Sequence, residues 1–262
     1  MKAAAVVANS RIPRLTTSRV IGRCFSSNVI RGPSLLQTST FRPSPSLLML
    51  PGLRSLPFWT YVDDTTRVAY QDPEVSHAVQ LLEDNWRILW DEYRQAQQQL
   101  PSDYATDTEH TTLHHGGWDW HTLLSKGDWT SQSGSFPATT SLLRQLPLFE
   151  GTPFGYAFFS TLQPNSSIDP HTSPLNFRLR IHLALDVPKG DCGLQVGPRT
   201  QQWSQGHCTV LDDSYVHHVW NKTSDPRVIL LVDIWHPDVT ADERKEIVGM
   251  FQEAKEKGWW NS

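Results

Sequence analysis

The sequence predicts a mainly β protein: a small jelly-roll barrel with one helix before it and one after. Three observations carry this. From residue 153 onward, six short segments place apolar side chains at a period of two, as strands with one buried face do. Turn residues separate them at the spacing of an antiparallel sandwich or barrel. Stretches of helical period flank the run on both sides, and no internal repeat breaks it. With 262 residues, 38% of them apolar, and eleven tryptophans, the chain suits one large domain.

In chain order, Asp72-Pro73-Glu74 opens the first helix, with an N-cap acid and proline in the first turn. Val79, Leu82, Trp86, Leu89 and Tyr93 recur at helical spacing to about residue 99. Residues 101–127 are polar and dotted with histidine, and read as loop. A short helical stretch follows at Thr140–Leu148. The strands are FGYAFFSTL (154–162), FRLRIHLAL (177–185), GLQVG (193–197), HCTVLDD (207–213), VHHVWN (216–221) and VILLVDIW (228–235). Thr240-Ala-Asp-Glu243 forms a capping box, and the last helix runs to about Lys257.

The net charge of −4 hides an asymmetry. Residues 1–62 carry eight basic residues and no acid, leaving 15 basic against 27 acidic residues in the rest, a net −12. That acidity argues against a nucleic-acid partner. The Arg-, Ser- and Thr-rich beginning has the composition of a transit peptide, and RCFSS (23–27) resembles a matrix-processing pattern with a cut after Phe25. The expected division is a leader over 1–56 and a domain over 57–262. The expected location is the mitochondrion, with plastid or cytoplasm as alternatives. No run is long enough for an integral membrane segment. The three cysteines, Cys24, Cys192 and Cys208, make no disulfide framework.

Eleven histidines are present, yet few lie where a barrel points them inward. His171 lies in a loop before a strand, and His217 follows the turn after HCTVLDD. Two neutral imidazoles on neighbouring strands suit a non-haem metal at a barrel mouth. Arg227, at the start of an apolar strand, would be a buried guanidinium in need of an anion. Arg178, Arg180 and His182 alternate with Leu179, Ile181 and Leu183, so one face of that strand is cationic, a pocket for a dianion.

The series H-T-x-P-x-N-x-R-L-R-x-H-L, then D-D-S-x-x-H-x-V-W, then R and V-D-x-W-H-P, resembles the aspartyl/asparaginyl β-hydroxylase family of Fe(II)/2-oxoglutarate oxygenases. The likeness spans about 153–240, with a weaker echo in PFWT, LEDNWRILWDEY and KGDW (57–129). It implies a double-stranded β-helix (a jelly-roll or cupin-like barrel) and a dioxygenase that uses Fe(II), 2-oxoglutarate and O2 and releases succinate and CO2. The implied substrate is an aspartyl or asparaginyl residue, or a related peptide or small molecule.

Residue by residue, the resemblance implies His171 and His217 as iron ligands, and Arg227 with Ser160 on the distal carboxylate of 2-oxoglutarate. Arg180 and His182 would lie against the co-substrate nearer the metal. Trp129 would line the pocket, and Asp213 would order a metal-bound water. Ser173 stands where most oxygenases of this type carry an acid; the family has glycine there, with water in the open position. That opening is also the one iron halogenases fill with chloride. A free amino acid or acyl chain as substrate, or a non-catalytic carboxylate-binding module on the same fold, are the alternatives. Trp118, Trp120 and Trp220 read as core or rim packing, and His114 and His115 as surface.

Overall fold

The computed structural model describes residues 48–59, 72–103 and 113–258, with the backbone alone at 62–63 and 66–67. Two strands, β1 (Val62–Asp63) and β2 (Thr66–Arg67), pair with each other. Helix α1 (Pro73–Ala96) follows, with the Asp72 carboxylate accepting from the amides of Glu74 and Val75. Then come β3 (His114–His115), β4 (Trp118–Ser125), β5 (Asp128–Trp129) and α2 (Pro137–Leu143).

Eight further strands build the barrel: β6 (Ala157–Leu162), β7 (Ser166–His171), β8 (Arg178–Asp186), β9 (Cys192–Val196), β10 (Arg199–Gln201), β11 (Cys208–Leu211), β12 (His217–Asn221) and β13 (Arg227–Trp235). They pair first with last, inward: β6 with β13, β7 with β12, β8 with β11, β9 with β10, all antiparallel. One sheet runs β11-β8-β13-β6-β4-β5 and the other β10-β9-β12-β7-β3. This is a double-stranded β-helix, mainly β, with flanking helices. Helix α3 (Ala241–Glu256) closes the chain, and its Thr240–Glu243 capping box is present.

The period of two sorts the side chains. Leu179, Ile181 and Leu183 of β8 and Leu230, Val232 and Ile234 of β13 point out of the barrel and are buried against Val75, Val79, Leu82 and Leu89 of α1. Phe158, Leu162, Ile229 and Leu231 point between the sheets, with Ile168, Leu194 and Val219 from the other side. Burying each such side chain stabilises by about 1.5–3 kcal/mol. Among the described residues no helix is long and apolar enough to cross a membrane.

Four sequence expectations change. Residues 101–127 are not all loop, because β4 extends the first sheet beside β6. Its inward face carries Trp118, Trp120 and Thr122 and its outward face Asp119 and His121, which hides the strand's apolar signal. The short helix is Pro137–Leu143 rather than Thr140–Leu148. His171 ends strand β7 rather than lying in a loop; β3 pairs only at Ser167 and Ile168, so Pro170 lies beyond that ladder. Finally, residues 48–56, part of the expected leader, pack on the domain. Leu50 and Leu53 are buried against Phe177 and Trp235, the amide of Leu50 donates to Asn176 Oδ1 (2.8 Å), and Arg54 pairs with Asp238. The rest of the leader, including RCFSS, lies outside the described residues.

Candidate active site

Strands β7 and β12 are neighbours, and His217 stands directly across from His171. Their ring centroids are 4.1 Å apart. Each ring is oriented by its own strand: His171 Nδ1 bonds to the carbonyl of Asp169 (2.7 Å), and His217 Nδ1 to that of Tyr215 (2.9 Å). A carbonyl can only accept, so both Nδ1 atoms carry the proton and both Nε2 lone pairs are left for a ligand. Among the described residues no group of three or more His, Cys, Asp or Glu side chains converges at a metal-binding distance. Ser173 adds no donor here: its Oγ accepts from Arg178 Nη2 (3.1 Å).

A cavity of about 490 Å³ opens on this pair, and Ser160, Arg180, His182 and Arg227 line it too. Ser160 and Arg227 project inward from the adjacent strands β6 and β13. Arg227 is 1% exposed, and its Nε and Nη1 have no hydrogen-bond partner. Burial lowers its guanidinium to about 10, so it stays charged at neutral pH. Both ring nitrogens of His182 are likewise buried without partners. An unpaired buried cation beside an unpaired imidazole is an expensive arrangement unless an anion enters. Ser160 Oγ accepts from Trp118 Nε1 (2.8 Å).

The cationic face expected of β8 is corrected by its neighbours. Asp233, across from Arg180 on β13, takes Arg180 Nε (2.8 Å) and Nη2 (3.0 Å) and lies 3.1 Å from Arg178 Nη1. Asp213 Oδ2 accepts from Arg178 Nη2 and lies 3.4 Å from Arg180 Nη1. Two arginines and two carboxylates thus neutralise one another in the interior. Burial would raise the Asp213 carboxyl, but Arg178 and Arg180 outweigh it and hold the group well below the usual carboxylate range. Asp213, expected to order a metal-bound water, does not line the cavity. Among the described residues that line the cavity, Arg227 is the buried cation whose Nε and Nη1 have no hydrogen-bond partner.

Trp129 is also displaced from its expected place. It sits on β5, donates to Glu150 Oε2 (3.2 Å), lies under Arg144, and packs toward the helical side of the sheet. Trp118 and Trp120 line the cavity instead, with Tyr156. The spacing W-D-W already puts both on one face; what it lacks is the register, which sets Trp120 across from Ser160. Trp220 donates to Asp191 at the surface, and His115 is exposed.

Burial is the largest cause lowering the imidazoles of His171, His182 and His217, the last to about 3. All three therefore hold a proton less readily folded than unfolded, where they take up protons near pH 6.5. Below that pH the unfolded chain binds more protons. The stability of the metal-free protein is therefore complete above about pH 6.5 and falls on acidification toward about 3, by about 1.4 kcal/mol per pH unit for each imidazole that stays neutral. Urea midpoints at pH 7 and pH 5 measure this; equal midpoints would refute it.

The profile of the family described as aspartyl/asparaginyl beta-hydroxylase matches residues 83–237. The human aspartyl/asparaginyl beta-hydroxylase is 30% identical over 203 residues, covering 77% of this chain and 26% of that protein. Aspartate beta-hydroxylase domain-containing protein 2 of Xenopus tropicalis is 34% identical over 223 residues, covering 80% and 56%. The chain thus spans between a quarter and a little over half of the length of these relatives. A Pseudomonas putida prolyl-4-hydroxylase structure aligns with TM-score 0.39 at 14% identity, over 59% of this chain and 86% of that one. With more than half its length matched by the profile, this chain belongs to the aspartyl/asparaginyl beta-hydroxylase family.

Proposed function

We propose that the protein is an Fe(II)- and 2-oxoglutarate-dependent dioxygenase that hydroxylates an aspartyl or asparaginyl residue or a related small substrate. The observation that carries this reading is the unpaired, buried guanidinium of Arg227 facing the same cavity as the His171–His217 pair. The residues fit the groups. Two neutral imidazoles suit Fe(II), and a planar guanidinium suits a carboxylate bidentately. Arg227 and Ser160 would hold the distal carboxylate of 2-oxoglutarate, with His182 and Arg180 along the path to the metal.

When bound, iron with 2-oxoglutarate and O2 supplies the oxidation: 2-oxoglutarate leaves as succinate and CO2, and one oxygen atom enters a substrate C–H bond. The chain's own work is different in kind. The carbonyls of Asp169 and Tyr215 keep both histidine Nδ1 atoms protonated, so the rings present Nε2 together. Asp233 and Asp213 each pair with both Arg180 and Arg178 and hold them in place. Trp118, Trp120, Ile168 and Val219 give the cavity apolar walls that exclude water.

Iron-dependent formation of succinate from 2-oxoglutarate by the full chain tests the reading; no succinate above the iron-free control would sink it. Arg227→Leu sharpens the test. Turnover should fall about tenfold to a hundredfold, the worth of one charge-assisted bond. The ligand-free protein should at the same time gain about 1 kcal/mol or more, because an unpaired buried charge is gone. A variant that keeps full turnover refutes the assignment of Arg227. The acid-free leader supports import into mitochondria, which the location of the tagged full chain would check.

A further inference from the structure

Arg227 is stabilised by something other than an anion. Its Cζ lies over the indole of Trp203, 4.9 Å from the ring centroid. Trp203 is 5% exposed and belongs to the core between the two sheets, in the connection from β10 to β11. The ring of His182 lies 6.0 Å from the same indole at 36°. Trp203 therefore backs both Arg227 and His182, while its own Nε1 makes no hydrogen bond.

The loop carrying Trp203 is held from two sides. The amide of Gly206 donates to the Ala184 carbonyl (2.7 Å), and Gln205 Nε2 donates to that of Leu185 (2.9 Å), both on β8. Just beyond the loop the amide of Cys208 donates to Glu83 Oε1 (2.9 Å) on α1. Gly206 adopts φ +80°, and a Cβ there would lie 2.8 Å from Trp86 Nε1. Helix α1 and strand β8 thus set where the indole sits.

We propose that Trp203 is a positioning residue for the co-substrate: its face steadies the Arg227 cation while leaving the guanidinium's hydrogen-bonding edge open to a dicarboxylate. A carboxylate at this place would occupy that edge and compete with the incoming one. An aromatic face attracts the cation from above its plane and uses none of its N–H donors. This rests on the proposed 2-oxoglutarate chemistry and adds a determinant of selectivity for a distal carboxylate.

The test uses the full chain loaded with Mn(II) and titrated calorimetrically with 2-oxoglutarate or with 2-oxopentanoate, which lacks the distal carboxylate. Trp203→Leu keeps apolar bulk but removes the aromatic face. It should weaken 2-oxoglutarate about tenfold, leave 2-oxopentanoate within about twofold, and leave Mn(II) binding unchanged. Trp203→Phe should stay within about threefold of wild type for both. Trp203→Met serves the same comparison if the leucine variant does not fold. Equal affinity of the non-aromatic variants and wild type for 2-oxoglutarate, or equal weakening toward both oxo acids, overturns the proposal. A wild-type chain that binds neither oxo acid overturns the functional reading beneath it.

Discussion

Replacing His171 or His217 with alanine should lower the affinity of the chain for Fe(II) by at least about a hundredfold and take 2-oxoglutarate turnover to background. Loss of a partner behind a metal ligand already costs 10–100-fold. Here the ligand itself goes, from a site for which the described residues offer two imidazoles and no third side chain. The fold should survive. Each ring's protein bond runs to a carbonyl two residues earlier on its own chain, so alanine leaves no distant partner unsatisfied. Anaerobic Fe(II) titration with circular dichroism as control measures both parts. Unchanged iron binding in either variant would remove that histidine from the site.

Asp233→Ala should destabilise the protein by about 3–5 kcal/mol, because it leaves Arg180 and Arg178 buried with one carboxylate between them. The loss also strips the amide of Tyr156 of its acceptor, Asp233 Oδ2 (3.1 Å). Against a typical domain stability of about 5–15 kcal/mol, that is a large part of the whole. Removing the charge on both sides, Asp233→Leu with Arg180→Met, should recover much of it, since the expense lies in the unmatched charge. Urea denaturation of the two variants decides the matter, and a single variant within about 1 kcal/mol of wild type would mean that Asp213 alone can neutralise both arginines.

How much of this could be read from the chain alone differs between the strand and the sheet. Alternation along β8 correctly sorted Arg178, Arg180 and His182 from Leu179, Ile181 and Leu183, because a strand's own period fixes its two faces. What stands across from Arg180 is a property of register, and no pattern within FRLRIHLAL announces Asp233. For the same reason the motif points Asp213 toward a metal-bound water and gives Asp233 no role, while both bind arginine. Motif position favours Trp129 over Trp118 and Trp120 as pocket lining, and the pairing of β4 with β6 decides otherwise. β7 is hidden in the sequence because Asp169 and Pro170 break its apolar pattern next to the histidine that ends it. Trp203 had no signal at all, lying between two turn-rich stretches.

The pairing of first strand with last has a kinetic side. Ser160 comes from the opening strand and Arg227 from the closing one, while His171 and His217 belong to the second strand and the second from last. The pairs His171–His217 and Ser160–Arg227 therefore join residues 46 and 67 apart in the chain, and loops of that length must close before either pair is rewarded. Folding of this barrel should be slow for its size. No partial chain lacking β13 can hold both ends of the co-substrate, so the appearance of cation and dicarboxylate binding during refolding marks the moment the barrel shuts.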